Sequence, residues 1–226
     1  SSSFTAFAAL TDINLSVESG ERRAFIGPNG AGKTTLFSIL AGQKQPSMGR
    51  VTLAGEDVTG RRPDMLWRRG LSRTFQRNQL FLNLSVYQNV ELACAAHYRG
   101  FLTSYRHRTT IATEIHDVIN RVHLSDFVEQ RQLELALALA GKPRFLLLDE
   151  PTAGMSPAET LTMLSLMKSL PRHITILIVE HDMDVVFSLA DRVTVLHLGK
   201  ILADGTVDEV RTNKEVSAVY MGSPGE

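Results

Sequence analysis

The sequence predicts an α/β fold, and three observations carry that expectation. Gly27–Thr35 reads GPNGAGKTT and contains the pattern G-x-x-x-x-G-K-[ST], set between the strand-like run Ala24-Phe25-Ile26 and the helix-like run Leu36–Ala41. Two more apolar runs of strand length end in polar residues: Phe145–Leu148 runs into Asp149-Glu150, and Ile174–Val179 into Glu180-His181-Asp182. Between them, residues 85–141 carry helical spacing. Fully buried parallel strands read as such continuous apolar runs. In open α/β sheets the C-terminal strand edge is where ligands bind.

The glycine loop is a site for anion capture. Strand, glycine-rich loop and helix in that order are the context this pattern requires. Backbone N–H groups across Asn29, Gly30, Ala31, Gly32, Lys33, Thr34 and Thr35 would converge on phosphate oxygens, and the helix N-terminus adds partial positive charge. Glycines allow close backbone approach and positive φ. Lys33 would bridge β- and γ-phosphates, and the Thr34 hydroxyl would ligate Mg²⁺. On its own the loop says that a phosphate is bound, with Lys33 and Thr34 suited to its outer phosphates and to Mg²⁺.

Composition sets outer limits. The 226 residues allow one large domain, or one domain with a subdomain. Lys plus Arg and Asp plus Glu number 24 each, so no basic field argues for a nucleic-acid partner. A single cysteine, Cys94, has no internal disulfide partner, which suits a reducing compartment, and it reads as a small buried hydrophobe on a helix. No apolar run approaches the ~20 residues that a membrane helix needs.

In chain order, Ile13, Leu15 and Val17 alternate with polar residues and predict a strand. Phe4 and Phe7 lie upstream by a span that could fold a ring over an adenine, with Phe4 the candidate and a core or edge aromatic the alternative. Arg50–Leu53 predicts a short strand. The arginines between Arg61 and Arg73 read as a solvated face, and Leu71–Phe75 as an extended segment ending at Gln76. Ser85 is a good cap for a helix that runs to about Ala96. Ile111, Ile115, Val118, Ile119 and Val122 put one apolar face on a helix over about 106–122. Gln130–Ala140 predicts a third helix, stopped by Gly141-Lys142-Pro143. The expected organisation is a core of residues 1–84 and 142–226 with a helical subdomain, 85–141, inserted in it.

The acids after the 145–148 run suit phosphoryl chemistry. Asp149 would hold Mg²⁺ through its water shell, and Glu150 would polarise a water aimed at the γ-phosphate. Ser156-Pro157-Ala158-Glu159 opens a helix with a cap and an early proline. His181 follows the next buried run and is a candidate phosphate contact. Val193–Leu196 and Lys200–Ala203 predict a hairpin, and Gly205–Val210 the start of a short helix.

With these motifs in place, Phe4 to about Gly222 resembles the nucleotide-binding subunit of ATP-binding cassette transporters. GPNGAGKTT, the glutamine loop TFQ, a helical subdomain, FLLLDEP, AGMSP and VEHDM occur in that family's order. RTFQRNQLF, QRQLELALALAGKPRFLLLDEPTAGMSP and AVYMG look most like branched-chain amino acid importer ATPases; the likeness to lipopolysaccharide-export ATPases is weaker. The resemblance implies a P-loop NTPase (RecA-like) core, with an N-terminal antiparallel β subdomain and an inserted α-helical subdomain. It implies that Glu150 is the general base, that His181 is the γ-phosphate switch, and that Gln76 touches Mg²⁺ or the attacking water. It also implies a second ATPase subunit, identical or different, that sandwiches two ATPs. Membrane permease subunits would dock through coupling helices near Gln76, a solute-binding protein would act indirectly, and the subunit would lie on the cytoplasmic face of the plasma membrane. A soluble cassette acting on ribosomes or nucleic acid would instead carry two cassettes or a long coiled-coil insertion. A P-loop kinase would need an acceptor pocket and lid arginines.

One stretch departs from the family. Its signature, LSGGQ, completes the partner's site, yet Leu124-Ser125-Asp126-Phe127-Val128-Glu129-Gln130 stands in its place without a glycine. Asp126 would repel a γ-phosphate, and Phe127 and Val128 would block the close approach. Family members usually place about ten further residues there, so the expectation is that a loop is missing from this stretch. An intact mass matching the 226 residues would make the deletion real and predict ATP binding with impaired dimer-dependent hydrolysis.

Overall fold

Alternating apolar residues along three parallel strands bury both faces of one sheet, and that fixes the layers. The computed structural model describes residues 9–74, 81, 84–97, 108–121 and 130–221. In chain order they form β1 (Arg22–Ile26), α1 (Lys33–Leu40), β2 (Thr52–Leu53), β3 (Glu56–Asp57), α2 (Pro63–Trp67), β4 (Leu71–Arg73), α3 (Val86–His97), α4 (Arg108–Arg121) and α5 (Gln130–Ala140). There follow β5 (Phe145–Asp149), α6 (Pro157–Ser169), β6 (Thr175–Val179), α7 (Met183–Leu189), β7 (Arg192–His197), β8 (Lys200–Thr206), α8 (Val207–Arg211) and α9 (Lys214–Met221).

The main sheet has the order β4-β5-β6-β1-β7-β8. Its first five strands are parallel, and β8 closes one edge antiparallel to β7. Ala24 and Ile26 of β1, Leu146 and Leu148 of β5, and Ile176 and Ile178 of β6 enter one core. Phe25, Leu147 and Val179 enter the other. The first core is covered by α3, α4, α5, α6 and α7; the second by α1 and α2, where Phe37 packs edge-on against Phe25 at 5.6 Å between ring centroids. Period-two alternation on a strand buried on both sides gives this division directly.

Local signals set the helix ends. Ser85 and Gln88 exchange bonds across the first turn of α3, the Ser85 N–H to Gln88 Oε1 at 2.8 Å and the Gln88 N–H to Ser85 Oγ at 3.2 Å. Ser156 and Glu159 do the same at α6, and Thr206 and Glu209 at α8. The 106–122 periodicity appears as α4, and Gln130–Ala140 is helical as expected.

Two expectations need correction. Residues 13–17 form no strand; Ile13 and Leu15 pack as partly buried side chains on the α1 side of the sheet, so the alternation reflects burial without a ladder partner. Among the described residues, the antiparallel pairing in the N-terminal part is the two-stranded β2–β3 ribbon. The arginine run is not uniformly solvated either. Arg69 pairs with Glu56, and the Arg73 side chain is 9% exposed against the fully buried side chain of Asp149. Phe4, Gln76 and residues 124–129 lie outside the described residues.

Candidate active site

Because β4, β5, β6 and β1 are parallel neighbours, their C-terminal ends bring four segments to one sheet edge. These are the β1–α1 loop, Thr74 after β4, Asp149-Glu150 at the end of β5, and Glu180-His181 after β6.

The loop from Gly27 to Gly32 has the shape that anion capture needs. Gly27 sits at φ 146°, and a Cβ there would lie 2.1 Å from the Leu196 carbonyl oxygen. Gly32 is the N-cap of α1 at φ 106°, and a Cβ there would meet Leu10 and the Ala9 carbonyl within 3 Å. Among the described residues no side chain caps the first turn of α1, which leaves its N-terminal amides for another acceptor. Asn29, Gly30 and Thr34 are exposed, Thr35 is half-buried and Ala31 is buried. Tyr220 of α9 is 43% exposed, and its partial desolvation raises the phenol pKa while Gly27 opposes that shift.

Lys33 lies in this loop with its side chain buried. Its ammonium donates to the Gly27 carbonyl at 2.5 Å and the Pro28 carbonyl at 3.0 Å, which leaves one of its three donors for a ligand. Burial holds its pKa below the usual lysine value, and the carboxylates of Glu150 and Asp149 act in the opposite sense.

Asp149 is split between two tasks. Its Oδ2 accepts from Arg73 Nη2 at 2.6 Å, while Arg73 Nη1 donates to Gln43 Oε1 at 2.6 Å. Its Oδ1 is buried and has no hydrogen-bond partner among the described residues. A buried carboxylate oxygen left unpaired is costly unless something else satisfies it. The hard oxygen donors Asp149 and Thr34 suit Mg²⁺ and its water shell.

Glu150 and His181 meet directly, His181 Nε2 lying 3.1 Å from Glu150 Oε1. Glu150 occupies the left-handed region at φ 49°, which few non-glycine residues adopt. Its N–H donates to the Val179 carbonyl at 2.9 Å, and its own carbonyl accepts from the Ala153 N–H at 3.1 Å. His181 is set by the segment that follows. Asp182 caps α7, accepting from the N–H groups of Asp184 and Val185.

The sequence-derived candidates Lys33, Thr34, Asp149, Glu150 and His181 thus converge on one edge. Sequence reading missed Arg73, which it grouped with surface arginines, and Glu180 and Thr152. The signal available for Arg73 was its position two residues into a strand that ends beside the acids.

Residues 10–153 match the family model described as ABC transporter. The chain is 34% identical over 239 residues to the high-affinity branched-chain amino acid transport ATP-binding protein BraF of Pseudomonas aeruginosa, with 97% of this chain and 94% of the relative covered. That alignment is longer than the 226-residue chain, so the relative carries residues with no counterpart here. LivG of Escherichia coli strain K12, with the same description, is 34% identical over 241 residues with the same coverage. The lipopolysaccharide export system ATP-binding protein LptB of Haemophilus influenzae is 32% identical over 228 residues, covering 97% of this chain and 93% of the relative. Among solved structures, the ADP conformation of MJ1267, an ATP-binding cassette of an ABC transporter, superposes with TM-score 0.81 at 27% identity, covering 97% of this chain and 95% of that one.

Proposed function

The chain belongs to the ABC transporter family, and from that premise we propose that it is the ATP-hydrolysing subunit of an importer for a small solute, branched-chain amino acids or a related compound. The observation that carries the site assignment is the convergence of the Lys33 loop, Asp149, Glu150 and His181 on one sheet edge.

In this reading the β- and γ-phosphates lie on the amides of residues 29–35 with Lys33 beside them. Glu150 takes the proton of a water aimed at the γ-phosphate, and His181, held against Glu150, contacts the γ-phosphate and reports its presence. Thr34 and Asp149, with Gln76, would hold Mg²⁺, which neutralises charge on the phosphate oxygens when bound. Phe4 is assigned to the adenine. The core of residues 1–84 and 142–226 holds the nucleotide, and residues 85–141 form the inserted helical part.

A second cassette subunit, membrane permease subunits and, indirectly, a solute-binding protein are the assigned partners, with the chain on the cytoplasmic face of the membrane. Among the described residues, no helix is long and apolar enough to cross a membrane. Phe81 before α3, Tyr87 in its first turn and Leu92 midway along it expose large apolar side chains, which supports docking of permease helices there. The buried Asn89 side chain bonds the N–H and carbonyl of Phe81 and fixes that approach. Relatives named for branched-chain amino acid transport support the solute class. The test is co-purification of the tagged chain with its permease, followed by ATP-dependent uptake in vesicles. Leucine or isoleucine uptake is the expected result; binding of ribosomes or nucleic acid with no permease would overturn it.

A further inference from the structure

The carboxylate of Glu180 is buried to 3% exposure and makes three hydrogen bonds in two directions. Its Oε1 accepts from the Thr152 N–H at 3.0 Å and from the Thr152 hydroxyl at 2.6 Å. Its Oε2 accepts from the His181 N–H at 3.1 Å. Thr152 belongs to the turn that leaves Glu150, and that turn is also tied back through the Ala153 N–H on the Glu150 carbonyl. One carboxylate therefore grips the backbone on both sides of the 3.1 Å contact between Glu150 and His181.

Burying a charge is expensive unless hydrogen bonds compensate it, and bonds to an ionised acceptor are about twice as strong as neutral ones. Among the described residues, the hydrogen bonds of the Glu180 oxygens go to Thr152 and to the His181 backbone, not to the phosphate loop or to the acid pair. Its three donors all belong to the two segments whose relative placement sets the Glu150–His181 distance. Glu150 keeps a φ of 49°, a conformation that persists only where the surroundings over-determine it.

We propose that Glu180 is a positioning residue for ATP hydrolysis, coupling the turn at Thr152 to the backbone of His181 so that His181 and Glu150 act as one unit. The proposal rests on the reading of Glu150 and His181 given above. Thr152 lies at the head of the Pro151–Ser156 turn, so any displacement of that turn is transmitted through Glu180 to His181.

The chemistry separates the two arms. In Glu180→Gln the amide oxygen keeps the Thr152 bonds, but the NH₂ group then faces the His181 N–H, donor against donor; turning the amide over loses the other arm instead. Thr152→Val removes only the hydroxyl arm. The measurement is phosphate release with Mg²⁺ and ATP at high protein concentration, alongside ATP affinity and thermal denaturation. Glu180→Gln is expected to lower kcat about tenfold with KM for ATP within about twofold. In a His181→Ala background the same substitution should cost less than about twofold, because residues acting as a unit are not additive. Equal factors in both backgrounds, or wild-type kcat, would overturn the proposal. If Glu180→Gln does not fold, Thr152→Val decides: a several-fold fall in kcat supports the proposal, and an unchanged kcat overturns it. Glu150→Gln run in parallel separates the two levels. Its retaining turnover defeats the assignment of Glu150, whereas its loss together with an additive Glu180→Gln defeats only the coupling.

Discussion

Asp149 is the residue on which the local electrostatics turn. Its side chain is fully buried, and its one ionic partner among the described residues is Arg73. Removing one member of a buried pair leaves an uncompensated charge, which costs about 3–5 kcal/mol. Arg73→Ala should therefore lower stability by an amount near that range in urea denaturation, although Arg73 contacts no phosphate in this reading. A surface arginine would move stability by only a few tenths of a kcal/mol. Cys94 gives a second residue-level prediction. Burial, with Glu114 adding to it, pushes its thiol up from 9.0 to about 11. The fold thus holds the proton that the open chain releases, so stability falls as pH climbs past 9 and continues to fall toward 11. Iodoacetamide at pH 8.5 should leave native Cys94 unmodified and label it quickly in urea; rapid labelling of the native protein would show that the site opens.

At the scale of elements, α1 and α6 show how sequence signals become positions. Phe37 is fully buried and meets Phe25 edge-on, so it pins α1 to the sheet. Phe37→Ala should cost about 3–5 kcal/mol, read from the urea midpoint. The Ser156–Glu159 box closes the start of α6, and Ser156→Ala should cost about 1 kcal/mol with no change in ATP affinity.

These elements were largely legible beforehand. The apolar runs at 24–26, 145–148 and 174–179 became neighbouring parallel strands, because continuous hydrophobicity is what burial on both faces demands. The caps at Ser85 and Ser156 and the stop after Ala140 were local chemistry and read correctly. Residues 13–17 misled because alternation reports one-sided burial and says nothing about a ladder partner. Arg73 and Glu180 were illegible for another reason. Their partners lie 76 and 28 residues away, and only the strand order brings them together. His181 was placed at a strand end, yet its contact with Glu150 depends on β5 and β6 being adjacent, which no local pattern states.

For the whole molecule, the parallel strand ends act as a common platform for the loop lysine, two acids and a histidine, with a small antiparallel ribbon and a helical layer around it. The segment at 124–130 bears on assembly. If the signature is absent, this chain should bind ATP alone and turn it over slowly, and adding a cassette with an intact glycine-bearing signature should raise the rate. That outcome would be read by mixing the two subunits at fixed total concentration.

In the proposed mechanism Glu150 activates the attacking water at this sheet edge. Its most direct test is to compare wild-type protein and Glu150→Gln for Mg²⁺-dependent phosphate release from ATP, with ATP affinity measured on the same samples. The variant is expected to bind ATP with affinity within about twofold of wild type and to lose at least about 99% of its hydrolysis, as removal of a general base requires. Hydrolysis by Glu150→Gln at the wild-type rate would contradict it.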